Sequence, residues 1–162
     1  MKLMAAFLTA VCSLSTSPIS WACSYDGQFA NPFSESYPGA LDVALATQQA
    51  LNAKTIPKLS KLEGEEGLRR ASGWLQLLTE AYSTELKGAY IYIVDNQLWS
   101  KMDSSDNLII HSQPPESNET AFLLTEVTLH SIVSKQLSWK EAEKLGLVIT
   151  QHLGRQPPSF HN

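Results

Sequence analysis

Apolar positions change period several times along this chain, and each change marks an element. Leu68, Ala71, Trp74, Leu75, Leu78, Ala81 and Tyr82 recur at i, i+3, i+4 and i+7, the spacing of one buried face of an amphipathic helix. They predict a helix from about Glu65 to Leu86, ended at Lys87-Gly88, where glycine accepts the left-handed conformation. Upstream, Leu41, Ala44, Leu45 and Leu51 share one face of a shorter helix, Ala40 to Ala53, that stops before Pro57. Ser60 and Glu63 have the spacing of a capping box for the second helix.

At Ala89 the period shifts from helix to strand. Tyr90-Ile91-Tyr92-Ile93-Val94 is a β-branched and aromatic run. Asp95-Asn96 turns it back into Gln97 to Met102, and Asp103 to Asn107 turns again into Leu108 to His111, a meander of three strands. After a polar loop opened by Pro114-Pro115, Ala121 to Leu124 reads as a fourth strand. Glu126 to Ser134 is helical, with Val127, Leu129, His130, Ile132 and Val133 facing inward. Ser138-Trp139-Lys140-Glu141 is a further capping box, its helix runs to Leu145, Gly146 ends it, and Leu147-Val148-Ile149 closes the chain's last strand. Helices, an antiparallel meander of three to four strands, then helices and a short closing strand predict an α+β domain over residues 40–151. Residues 152–162 are expected to form a flexible tail.

The N-terminus has a different character. Lys2 supplies a small positive region, Leu3 to Leu14 an apolar run, and Ser15 to Ala22 a polar segment, the three-part layout of a secretory signal peptide over residues 1–22. The apolar run is shorter than the roughly 20 residues a spanning helix needs, so no transmembrane segment is expected. Small residues Ser20 and Ala22 place the cut before Cys23, which predicts a periplasmic or secreted protein. A cysteine in that position is also where a lipid anchor would be attached. Cys12 leaves with the signal and Cys23 is then the single cysteine, so the domain must hold without an intrachain disulfide.

From 23 to 39 the chain is rich in Ser, Asn, Pro and Gly and should be irregular. Its rings, Tyr25, Phe29, Phe33 and Tyr37, recur every four residues. Gly27, Pro32 and Pro38 oppose a continuous helix. Two uses follow: the rings pin an extended arm onto the domain, or they form an aromatic surface for a ligand.

Composition supports an ordinary globular chain, with 43% hydrophobic and 17% charged residues. The net charge is −4 and becomes one unit more negative once Lys2 is removed. Without a basic stripe, nucleic acid is not an expected partner. None of the four histidines, His111, His130, His152 and His161, stands in a metal-binding spacing. Glu126 and His130 lie one helical turn apart, which reads first as a surface i, i+4 pair. Gly-x-Ser-x-Gly and glycine-rich phosphate loops are missing from the sequence, and no cofactor is expected.

The C-terminal third resembles the sterol-carrier-protein-like fold. The residues that carry this resemblance are Ala121 to Thr125, then Leu129, Ile132 and Val133, then Leu137-Ser138-Trp139-Lys140-Glu141-Ala142, and finally Gly146 to Ile149. Lys135 stands where that family usually has glycine. The resemblance implies a sheet covered by helices around an apolar cavity for a lipid or another hydrophobic molecule, lined by generic hydrophobes that no motif assigns. The sequence thus reads as an exported binding or accessory protein whose partner is a hydrophobic small molecule or another protein. Its rivals are a small extracytoplasmic enzyme built from scattered residues and a metal-handling protein using the amine and thiolate of Cys23.

Overall fold

A computed structural model of the chain describes residues 37–116 and 118–152. The expected signal peptide at residues 1–22, Cys23, the ring positions Tyr25, Phe29 and Phe33, and residues 153–162 of the expected tail lie outside the described residues. Within them the order is α1 (Ala40–Asn52), α2 (Gly64–Ala81), α3 (Ser83–Leu86), β1 (Tyr90–Ile93), β2 (Leu98–Met102), β3 (Leu108–Ile110), β4 (Thr120–Leu124), α4 (Glu126–Val133), α5 (Trp139–Lys144) and β5 (Val148–His152). This is an α+β unit around one five-stranded sheet.

The sheet order is β3-β2-β1-β4-β5. The first three strands form the antiparallel meander, with Tyr92 opposite Trp99 and Lys101 opposite Ile109. β4 does not extend that meander: the chain crosses over and lays it parallel to β1, Tyr92 level with Leu123. β5 returns antiparallel beside β4, pairing Leu124 with Val148 and Thr120 with His152. His152, expected to open the tail, is the last residue of that strand.

Because successive strand side chains point to opposite faces, the sheet has two distinct sides. One carries Ile91, Ile93, Leu98, Met102, Phe122, Leu124 and Val148 into the main core with Leu75, Leu78, Leu129 and Ala142. Leu75 and Leu78 are fully buried, as the α2 periodicity required. The other carries Tyr90, Tyr92, Trp99, Ala121 and Leu123 against Ala40 and Val43 of α1.

Three local expectations are corrected. First, α1 buries Ala40, Val43, Thr47 and Ala50, not the leucine face: Leu41 and Leu45 are 57% and 54% exposed. The sheet face under α1 is already filled by large rings, so the helix packs on it through its small side chains. Second, Ser60 and Glu63 form no capping box. Glu63 is the N-cap of α2 without a side-chain cap bond, its carboxylate goes to Lys61 at 2.9 Å, and Glu65 and Glu66 supply the negative charge that the first turn favours. Third, the long helix is two helices broken at Tyr82 (φ −127°, ψ 37°). The break lets the Tyr82 ring reach Trp139, 5.4 Å between centroids, while Leu86 is fully buried.

The capping box at Ser138 forms as expected, with the serine oxygen accepting from the Glu141 amide and the glutamate accepting from the Ser138 amide at 2.9 Å. Gly39 shows why one glycine is required: at φ +86° it precedes α1, and a Cβ there would lie 2.8 Å from Gln151 Nε2.

Candidate functional site

Two constellations in the described residues bring chemically capable groups together. The first is the aromatic layer on the α1 side of the sheet. Strand pairing sets Tyr92 directly opposite Trp99, and their rings stack at 4.3 Å and 23°. Tyr90 meets the edge of the same indole at 6.3 Å. Tyr37, at the entry to α1, closes the group: its ring lies 4.8 Å from Trp99 and 5.9 Å from Tyr92. Of the four ring positions marked in the N-terminal arm, it is the one the described residues include, and it is packed onto the sheet.

The layer has a polar border and one donor without a partner among the described residues. Lys101 Nζ donates to Tyr90 Oη at 2.8 Å and to Glu119 Oε1 at 3.2 Å, while Tyr90 Oη donates to Glu119 at 3.3 Å. The Tyr90 hydroxyl and the Glu119 carboxylate hold the Lys101 ammonium above its ordinary range, against its own desolvation. Desolvation raises Glu119, but the Glu116 amide together with Lys101 and Tyr90 holds its carboxyl below the usual carboxylate range. This trio is internally satisfied and anchors the loop before β4. The Tyr37 hydroxyl differs: it is buried with no hydrogen-bond partner among the described residues. Burial raises its pKa, so it stays protonated and able to donate.

The second constellation lies beyond the carboxyl ends of the parallel pair β1 and β4. Glu126 opens α4 and is buried, 7% exposed. Arg70 of α2 donates through Nε to Glu126 Oε1 at 2.9 Å and through Nη1 to the Ser60 carbonyl at 2.8 Å. Asn96 Nδ2 donates to Glu126 Oε2 at 2.9 Å, and the Glu126 amide donates to Asp95 Oδ1 at 3.0 Å. The Arg70 guanidinium sits 5.0 Å over the Trp74 ring, and that ring lies 4.8 Å from His130. Beside them Thr47, Thr125 and Thr128 form a buried hydroxyl chain with links of 3.2 and 3.0 Å.

Glu126 and His130 are therefore not a surface pair. Each faces a different α2 side chain, a pairing that sequence spacing alone could not reveal because Arg70 lies 56 positions away. Asp95 is exposed, whereas Arg70, Trp74 and His130 are half-buried. Surrounding protein desolvates its carboxyl and, with the Glu126 charge, pushes its pKa up to about 6 despite the Glu126 amide and Arg70. Water still reaches its exposed face and moderates that rise. Because both Glu126 oxygens and the Arg70 Nε and Nη1 are engaged, the arrangement clasps the β1–β2 turn, α2 and α4 together.

Among the described residues no group of three or more metal-ligating side chains converges, and no helix is long and apolar enough to cross a membrane. Cys23 lies outside them. No family model matches the chain, and it matches no curated protein and no solved structure. The class the fold defines is thus an α+β domain with a mixed five-stranded sheet and an aromatic layer on one side.

Proposed function

We propose that this is an exported binding or accessory protein that holds a small hydrophobic molecule, as the sterol-carrier-like resemblance implies. The observation that carries the reading is the layer of Tyr37, Tyr90, Tyr92 and Trp99. Within the described residues a single helix of small side chains covers this face, and the buried Tyr37 hydroxyl has no hydrogen-bond partner among them. An unpaired buried hydroxyl costs roughly 1–3 kcal/mol, which an acceptor oxygen on a ligand would recover. Largely apolar sites with a few placed polar groups are the usual form of small-molecule pockets.

The order of elements from 120 to 152 supports the same reading: strand, helix, capped short helix and antiparallel return strand occur in the sequence the resemblance calls for. The signal-like N-terminus supports export, and intact-mass analysis of the exported form checks it: a chain beginning at Cys23 is expected, with added diacylglycerol mass if the cysteine is anchored. For the ligand, the purified protein is extracted with organic solvent and the extract examined by mass spectrometry. A hydrophobic molecule in stoichiometric amount, whose addition back raises the melting temperature with concentration, is the expected result. An empty extract from protein with intact near-ultraviolet dichroism contradicts the proposal and leaves a protein partner in its place.

A further inference from the structure

Three helices end with the same backbone motif, in which two amides fold back onto the last turn. In α5 the pattern is Leu147 N–H to the Ala142 carbonyl at 2.9 Å and Gly146 N–H to that of Glu143 at 3.0 Å. In α1 it is Thr55 to Ala50 at 2.9 Å with Lys54 to Leu51 at 3.2 Å, and in α4 Gln136 to Ser131 at 2.9 Å with Lys135 to Ile132 at 3.0 Å. The residue at the turn must take positive φ, a conformation glycine adopts without strain and other residues do not. α5 uses Gly146 at φ 70°, whereas α1 and α4 place lysines there, Lys54 at φ 57° and Lys135 at φ 59°.

Both of these endings border one open groove of about 580 Å³. Leu51, Ile56 and Pro57 give it an apolar lining, Lys54 and Lys58 stand in it, and Gln136, the neighbour of Lys135, closes it from α4. No acidic side chain lines it. Lys54, Lys58 and Lys135 take part in no ion pair among the described residues, although the chain carries net negative charge. Compensation of a helix C-terminal dipole does not require this placement, since α5 keeps Lys144 in its last turn and glycine at the strained position.

We infer that the groove between the C-terminal ends of α1 and α4 binds a small organic anion with an apolar body, Lys54 and Lys58 meeting its carboxylate and Leu51, Ile56 and Pro57 its chain. This is a different site from the aromatic layer. Decanoate, below its micelle concentration, is the probe, with decanol as its uncharged counterpart, each titrated into the purified protein by calorimetry. Decanoate should bind saturably, more weakly as salt is raised, and at least ten-fold more tightly than decanol. Lys58→Gln should weaken it about five-fold or more without moving the melting temperature. The deciding variant is Lys54→Gly: it relieves the backbone, so the melting temperature should rise, while decanoate affinity falls at least five-fold. A raised melting temperature with unchanged affinity would make Lys54 a helix-ending residue only and overturn the inference, as would equal binding of decanol and decanoate.

Discussion

Asp95 is the residue whose environment most directly predicts a pH response. Its folded pKa, near 6, lies above its ordinary 3.8, so the stability it permits is complete below about pH 4 and is lost as pH rises through 6. Asp95→Asn keeps an oxygen for the Glu126 amide and removes the charge. It should leave stability unchanged at pH 4 and raise it at pH 8, by about 1 kcal/mol or less because the side chain remains partly hydrated; urea melts at the two pH values measure this, and equal effects at both would contradict the assignment. Glu126 behaves in the opposite sense, since removing one partner of a buried pair strands the other. Glu126→Ala should cost on the order of 3–5 kcal/mol, and a loss under 1 kcal/mol in the same melts would mean that Arg70 finds water instead. Leu75 and Leu78, both fully buried, should each cost about 2–5 kcal/mol on change to alanine.

At the scale of elements, α1 and α5 show what could be read in advance. The Ser138–Glu141 box was legible because a capping box is a local contract between residues three apart, and Ser138→Ala should cost about 1 kcal/mol. The buried face of α1 is not legible locally, because periodicity alone cannot tell which of two apolar stripes faces a neighbour; the rings of Tyr92 and Trp99, dozens of residues away, select the stripe of small side chains. Leu41→Gln with Leu45→Gln should therefore change stability by no more than about 0.5 kcal/mol each, as surface substitutions do, and a core-sized loss in thermal melts would restore the leucine face. The strands were legible as β-branched and aromatic runs, but nothing local to Ala121–Leu124 shows that β4 would lie parallel to β1, which is set by the crossover. For the candidate site, Tyr37 stood out as one ring in a spaced series. The clasp of Arg70, Asn96 and Glu126 did not, because its members come from three elements and none belongs to a motif.

For the molecule as a whole, the sheet divides the labour. Its α2, α4 and α5 side holds the main core, and its α1 side holds the aromatic layer, sealed at one end by Lys101, Tyr90 and Glu119. Tyr90, Tyr92 and Trp99 are themselves buried beneath α1 and Tyr37, so the proposed ligand meets these rings only where that cover shifts. The direct measurement is a titration of the purified protein with an uncharged fluorescent sterol, followed by energy transfer from tryptophan. Saturable transfer at one sterol per chain is expected, lost in Trp99→Leu and intact in Lys54→Gly. Transfer that rises linearly without saturation, or that survives unchanged in Trp99→Leu, would contradict binding at these rings.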